Sequence, residues 1–404
     1  MTSSDLPGTD PFAPATLGPL ALRNRFIKAA TFEGPARDNL VTDRLIEFHR
    51  RIAAGGVAMS TVAYCAVSPE GSTDGRTVLL RPEAVPGLKR LSSAVHAEGA
   101  SVSAQIGHAG PVANPAATKL PSLGPTRILN PLGMRRSRAA SEDDIQRLTV
   151  AYAQSAKLVA EAGFDAVEIH LGHGYLLSSF LSPKLNTRSD QWGGSLENRA
   201  RFPRQVLRAV REAVGGSLAI TAKLNMADGV SGGFWLDESV QVARWLEEDA
   251  TVDALELTGG SSLANPMYYF RGEAPVAEMA QIMPKPLRKG FQLVGGKFFH
   301  EYPYEEAYFL PYARQFRQAL NLPLILLGGI SQLETVHRAL AEGFEFVAMG
   351  RALLREPELI REWQSGATSV SLCVHCNKCM PTIYRGTHCV LVAAEDRLGT
   401  QKPD

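Results

Sequence analysis

The chain has almost no net charge. Its 404 residues carry 42 basic and 41 acidic side chains, a balance of +1, so neither nucleic acid nor an anionic membrane is expected as its main partner. It also has no long apolar run. The longest, around 322–330, is interrupted by Pro323 and by Gly328-Gly329 and falls well short of the roughly 20 apolar residues that a membrane span needs. Pro7, Gly8, Pro11 and Pro14 break up the N-terminus, so no signal peptide is expected there. These absences point to a soluble, cytoplasmic protein. Cysteine is scarce too, five in all. Cys65 stands alone and reads as a small buried hydrophobe. The other four, Cys373, Cys376, Cys379 and Cys389, fall within seventeen residues. Without an export signal, such clustering favours metal or redox chemistry over a disulfide framework.

What is present is enough chain for one large barrel with an appendage, or for two ordinary domains. Short apolar runs of β character recur eight times, at 26–30, 57–63, 101–106, 166–170, 218–224, 254–258, 324–327 and 346–349. Between them lie apolar residues at helical spacing, such as Leu45, Phe48 and Ile52, or Ile145, Leu148, Tyr152 and Val159. Thr42-Asp43, the Ser141-Glu142-Asp143-Asp144 run and Ser331 read as helix starts. Eight strand–helix units argue for an α/β fold, a (β/α)8 TIM barrel over residues 1–365 with a short cysteine-rich C-terminal extension over 366–404. A doubly wound sheet is the runner-up, weakened because no Gly-x-Gly-x-x-Gly follows the first strand.

Three connections are long: 107–140, 172–194 and 259–303. All follow strands on their C-terminal side, where catalytic loops of a barrel belong. The third holds Tyr268, Tyr269, Phe270 and Phe291 with Lys285, Arg288 and Lys289, and reads equally as an aromatic lid or as an insertion with a solvated basic face. The second begins at the most informative stretch of the chain. Residues 166–169 run directly into His170, His173 and Tyr175, with glycines between. Two imidazoles and a phenol at the end of a buried strand are placed for chemistry. On the residues alone, two satisfied loop histidines or a metal pair remain open.

The wider pattern resolves this. The run from His170 through Gly172, His173, Gly174 and Tyr175, then Phe180-Leu-Ser-Pro183, Asn186, Arg188 and the Gly193-Gly-Ser-Leu-Glu-Asn-Arg199 segment with Arg201-Phe202, closely resembles the Old Yellow Enzyme family of FMN-dependent NAD(P)H oxidoreductases. Asn24-Arg25, Val67-Ser-Pro-Glu-Gly71, Gln105-Ile-Gly-His-Ala-Gly110, Gly328-Gly329 and Met349-Gly350-Arg351 extend the resemblance over about residues 15–362. It implies FMN at the barrel mouth. Gly328, Gly329, Gly350 and Arg351 would meet the phosphate, Gln105 the pyrimidine edge, and Lys223, where most relatives carry arginine, the N1/O2 side of the ring. Ala29, Ala30 and Thr31 would lie beside the ring, as would Tyr64. Tyr64 and Phe32 are larger than the family's usual residues at those positions, so the substrates of relatives transfer poorly.

The resemblance further implies hydride transfer from NAD(P)H through the flavin to the β-carbon of an activated alkene. His170 and His173 would hold the substrate oxygen, each oriented donor contributing about 3–4 kcal/mol at a developing oxyanion. Tyr175 would deliver the proton. His108 reads as structural support for its loop. The cysteine tail resembles that of the family's larger members, the 2,4-dienoyl-CoA reductase and trimethylamine dehydrogenase type, in which four cysteines hold a [4Fe–4S] cluster. Here the last spacing is shorter, and the end at Asp404 leaves out the flavin/NAD domain that such a cluster serves. A cluster, a zinc site including His375, and free thiols stay open for Cys373, Cys376, Cys379 and Cys389.

The expected protein is an FMN-dependent ene-reductase acting on a small activated alkene. Whether it is a homo-oligomer is open. Three alternatives stand: a dehydrogenase or demethylase passing electrons through a tail cluster to a redox partner, a flavin-free barrel lyase using Lys223 as a Schiff-base nucleophile, and a non-catalytic flavin-binding protein. The basic residues Lys285, Arg288 and Lys289 suit an acidic substrate such as a CoA ester only weakly.

Overall fold

A computed structural model describes residues 10–398 apart from 35, 74, 131–134 and 283–284; the expectations about residues 1–9 and 399–404 lie outside the described residues. Eight parallel strands close on themselves. They are β1 (Phe26–Lys28), β2 (Met59–Ala66), β3 (Ser101–Gly107), β4 (Ala166–Leu171), β5 (Ala219–Asn225), β6 (Ala254–Thr258), β7 (Leu324–Leu326) and β8 (Phe346–Met349). Each pairs with its neighbour in chain order, and β8 pairs β1 through Val347 and Phe26. Closure explains why the strands read as unbroken apolar runs: both faces are buried, one in the barrel and one under helices. All eight expected strands are present. The second starts later than expected and runs further, because a bulge between Val62 and Cys65 lets it follow β3 for longer.

Each strand is followed by a barrel helix, from α1 (Asp43–Ala54), α2 (Val85–Ala97), α3 (Glu142–Glu161) and α4 (Leu196–Val214) to α5 (Leu236–Glu248), α6 (Leu310–Ala319), α7 (Leu333–Ala341) and α8 (Leu359–Ser365). Leu45, Phe48 and Ile52 face the barrel from α1, and Ile145, Leu148, Tyr152 and Val159 from α3. The Thr42 side chain caps α1, and Ser141 and Asp144 form a reciprocal capping box on α3. Ser331 differs from expectation. It does not cap α7; its hydroxyl bonds to the Glu306 carboxylate at 2.6 Å and to the Tyr304 hydroxyl at 2.8 Å. A hairpin of Ala15–Leu17 and Leu20–Leu22 packs Leu17 and Leu22 with Ala166, Ala219, Ala254 and Phe346, closing the N-terminal end of the barrel.

The third long connection is not structureless. It folds into short helices at Met267–Phe270, Val276–Ile282 and Arg288–Phe298, and Met267, Met279 and Phe299 form an apolar cluster with Met380 of the tail. The tail leaves α8, pairs Val370 with Gln332 and returns across the C-terminal face. Thr387 N–H donates to the Glu33 carbonyl at 2.8 Å. Its route requires a glycine at Gly34, where φ is +67° and a Cβ would lie 2.6 Å from the Ile383 carbonyl oxygen.

Beneath this face lies a buried charge group that the sequence pattern does not announce. Lys28 is ion-paired to Glu33 and donates to the Thr61 carbonyl at 3.1 Å. Glu33 also accepts from Thr31 Oγ1 and from Ala63 N–H, both at 3.0 Å. Burial opposes the Glu33 charge, but Lys28 and His49 outweigh it and hold the carboxyl well below the usual carboxylate range. Its contribution to stability is therefore present at neutral pH and lost only in strong acid. Glu33→Gln leaves the Lys28 cation buried without its counter-charge and should cost about 3–5 kcal/mol of unfolding free energy in urea; a loss below about 1 kcal/mol would mean the pair is not what holds the β1 end in place.

Candidate functional site

The C-terminal ends of the strands surround one cavity of about 850 Å³, within the size range of small-molecule and cofactor sites. The structure brings thirteen expected residues to its wall: Ala29, Ala30 and Thr31 after β1; Tyr64 on β2; Gln105 on β3; His170, His173 and Tyr175 at and after β4; Lys223 on β5; Gly328 and Gly329 after β7; and Gly350 and Arg351 after β8. Phe32, with a left-handed φ of +48°, lines it as well.

His170, His173 and Tyr175 form one aromatic group. The His170 ring centroid is 5.0 Å from that of His173 and 4.7 Å from that of Tyr175. His173 adopts φ +60°, unusual for a residue other than glycine. The turn is held from β5 and β6: the His173 N–H donates to Asn225 Oδ1 at 3.1 Å, and its Nε2 bonds to Thr258 Oγ1 at 3.0 Å. Tyr269 of the third connection lies over His173 at 4.5 Å. His108 supports the group from β3. Its Nδ1 accepts from the Gly110 N–H at 2.9 Å, and its carbonyl accepts from the Leu176 N–H at 3.0 Å. Gly110 is required there, since a Cβ would lie 2.7 Å from the Leu176 backbone.

The floor is an ion cluster. Lys223 Nζ lies 3.1 Å from Glu168 Oε1 and 2.8 Å from Glu256 Oε1, and Gln105 Nε2 donates to Glu168 Oε1 at 2.7 Å. Burial works against the Lys223 cation, and the two carboxylates overcome it, raising its pKa. Burial and the neighbouring Glu168 push Glu256 up to about 8. A lysine kept charged is a poor Schiff-base nucleophile, which argues against the lyase alternative. Near pH 7 Glu256 is therefore largely protonated, and the charge of Lys223 is shared with the Glu168 carboxylate rather than directed wholly into the cavity.

Burial, with Lys223 nearby, lowers His173 to about 3, and burial with His173 and Lys223 lowers His170 well below its ordinary value. Both are neutral near pH 7, so each presents a single N–H as a donor. The buried Nδ1 of His170 has no hydrogen-bond partner among the described residues. Such an orphan on a cavity wall calls for a ligand. The cavity, this orphan, the amide of Gln105 and the cation of Arg351 fit a flavin mononucleotide. Cys373, Cys376, Cys379 and Cys389 line one small cavity with Arg351, His375 and Asn377, while no three ligating side chains among the described residues lie close enough to hold one metal ion.

Sequence reasoning missed the tail's part in the main cavity. His375, Cys379, Met380, Ile383, Tyr384, Arg385 and Thr387 all line it, although neither spacing nor pattern ties residues 375–387 to β1. It also missed Tyr269 as the partner of His173. The Glu168–Lys223–Glu256 cluster had a readable signal: charged residues in the middle of strands otherwise apolar must meet each other inside the barrel. The aromatics Tyr269, Phe270, Phe298 and Phe299 face the cavity, as does Arg288, whereas Lys285 and Lys289 are exposed.

Comparison with known proteins agrees with this site. The sequence model of the NADH:flavin oxidoreductase / NADH oxidase family matches residues 10–263. The chain belongs to this family. FMN and NAD(P)H are its cofactors, and the chain is an oxidoreductase. A model of histidine biosynthesis proteins matches 305–390, over the last two strands. The chain is 54% identical over 391 residues to a 4,4'-dithiodibutanoate disulfide reductase of Rhodococcus erythropolis, covering 97% of this chain and 96% of that one. Among solved structures, a 2-naphthoyl-CoA reductase superposes with a TM-score of 0.79 at 26% identity, over 91% of this chain and 54% of that one. An Old Yellow Enzyme homologue from Zymomonas mobilis superposes with a TM-score of 0.71 at 21% identity, over 91% and 95%, and shows the shared fold. The chain spans about half the length of several other curated relatives. No helix among the described residues is long and apolar enough to cross a membrane.

Neutral buried histidines have a measurable consequence. The rate at which an acceptor re-oxidises the reduced enzyme should show no histidine titration between about pH 5 and 8. An inflection in that window that disappears in His170→Asn would contradict the neutral assignment.

Proposed function

We propose that the chain is a reductase of the ene-reductase type, acting on the C=C bond of an α,β-unsaturated carbonyl compound. The observation that carries this reading is the group of His170, His173 and Tyr175 on the wall of the flavin-sized cavity. FMN, when bound, takes two electrons from NAD(P)H and returns them as hydride to the acceptor. The residues of this chain do the rest. His170 and His173 hold the carbonyl oxygen with neutral N–H donors as charge develops there. Tyr175 transfers its phenolic proton to the α-carbon and regains one from solvent, so that NAD(P)H, one proton and the alkene give NAD(P)+ and the saturated product. Tyr269 and the aromatics beside it exclude water above the site.

A second acceptor is favoured by the end-to-end similarity to a disulfide reductase. The same groups suit it: hydride breaks the S–S bond, the histidine donors stabilise the leaving thiolate, and Tyr175 protonates it, giving two thiols per NAD(P)H consumed. The test is anaerobic re-oxidation of NADH-reduced enzyme by 2-cyclohexenone and by 4,4'-dithiodibutanoate, run side by side. Restoration of the flavin bands by the enone supports the ene-reductase; restoration by the disulfide alone supports the second reading. Restoration by neither refutes both. Tyr175→Phe should slow the productive acceptor step by about 10²–10⁴, and a loss below about threefold would remove the tyrosine from the proton role.

We further propose that Cys373, Cys376, Cys379 and Cys389 hold a [4Fe–4S] cluster and that a redox partner exchanges electrons through it. Anaerobically purified protein should carry about four irons per chain and lose them together in Cys376→Ser. Zinc in place of iron, or no metal, would overturn this assignment.

A further inference from the structure

The barrel-mouth cavity carries a charge imbalance that the chain as a whole lacks. About one residue in ten is acidic, 41 of 404, yet no Asp or Glu lines the cavity among the described residues. Six cations do: Arg76, Arg135, Lys223, Arg288, Arg351 and Arg385. Two of these have an account already. Lys223 is balanced by Glu168, beside Glu256, and Arg351 stands at the glycine end where a flavin phosphate would lie. Arg76 and Arg288 make further interactions of their own, and Arg385 is the cation that the tail itself brings to this wall.

The backbone around Arg385 is held by its neighbours, and the residue is exposed where it lines the cavity. Its carbonyl accepts from Arg44 Nη1 at 3.3 Å. Just before it, the Ile383 carbonyl accepts from Arg76 Nη1 at 3.3 Å, and the Arg76 guanidinium lies over the Tyr384 ring at 5.4 Å. Just after it, the Thr387 hydroxyl donates to the Phe32 carbonyl at 2.5 Å. These contacts put this stretch of tail beside the β1 end of the cavity. The Phe32 ring is 5.9 Å from Tyr64, and Tyr64 is 5.3 Å from Tyr175. Two aromatic rings, Phe32 and Tyr64, thus stand between this stretch of tail and the proposed proton donor.

We propose that Arg385, supported by Arg76, is a specificity-determining residue that recognises a carboxylate on the acceptor. This rests on the reading that the acceptor is reduced at His170 and Tyr175. A guanidinium suits this role, because its planar fork meets a carboxylate in paired hydrogen bonds. Among the described residues, no carboxylate of the wall repels an anionic ligand there.

The test compares 4,4'-dithiodibutanoate with its uncharged diamide on the FMN-loaded enzyme. Dissociation constants come from the perturbation of the oxidised flavin spectrum, which needs no turnover, and the NADH half-reaction is timed separately. The wild type should bind the dicarboxylate at least about tenfold more tightly than the diamide. Arg385→Gln should remove most of that preference, and Arg385→Lys should restore part of it. Flavin content reports whether each variant is folded. Equal binding of the two ligands by the wild type overturns the proposal, as does equal weakening of both in Arg385→Gln. So does a defect confined to the NADH half-reaction, which would assign the arginine to the nucleotide phosphates. If neither disulfide nor alkene re-oxidises the enzyme, the reading of the site fails, while the binding ratio still decides the role of Arg385.

Discussion

A charge inside a barrel must have a partner, and the site depends on how this chain meets that requirement. Lys223 is fully buried on β5, flanked by Glu168 on β4 and Glu256 on β6, with Gln105 on β3 bonded to Glu168. Four adjacent strands are thereby tied together at the level where the cavity begins. Lys28 and Glu33 do the same for β1 and β2. A carboxylate or ammonium placed singly in such surroundings costs several kcal/mol, so each group fixes its neighbours' positions as well as its own. The histidines stand on this floor. Burial and the adjacent cation keep them neutral, which is the form that gives each a single N–H donor for an electron-rich oxygen or sulfur.

The second organising feature is the return of the tail. A barrel alone would leave its mouth walled by its own loops. Here residues 375–387 run over the β1 end, and Arg351, Leu354, His375 and Cys379 line both the main cavity and the small cysteine-lined one. The two sites share a wall. The large side chains Phe32 and Tyr64 lie between the tail and Tyr175. Tail residues complete the β1 end of the cavity.

Much of this was legible in the sequence, for physical reasons. Parallel strands buried on both faces leave apolar runs that stand out, so all eight were found, and Ser141 with Asp144 announced a helix start through their spacing. The thirteen cavity residues were legible through the resemblance, whose motifs recur at the strand ends; only the run from His170 to Tyr175 is dense enough to stand out by itself. What was not legible depends on contacts distant in sequence. Ser331 looks like a cap, yet Glu306 and Tyr304 claim its hydroxyl. Nothing local reports that Thr387 reaches Phe32 across 355 residues of chain, or that Tyr269 covers His173.

The central claim is that the barrel mouth holds a flavin reducible by a nicotinamide and able to pass its electrons to an acceptor beside His170 and Tyr175. The most direct measurement is the visible spectrum of the purified chain during anaerobic addition of NAD(P)H and then of acceptor. The account predicts flavin bands that bleach with the nucleotide and return with the acceptor. A colourless protein, or flavin bands that neither NADH nor NADPH bleaches, would contradict it.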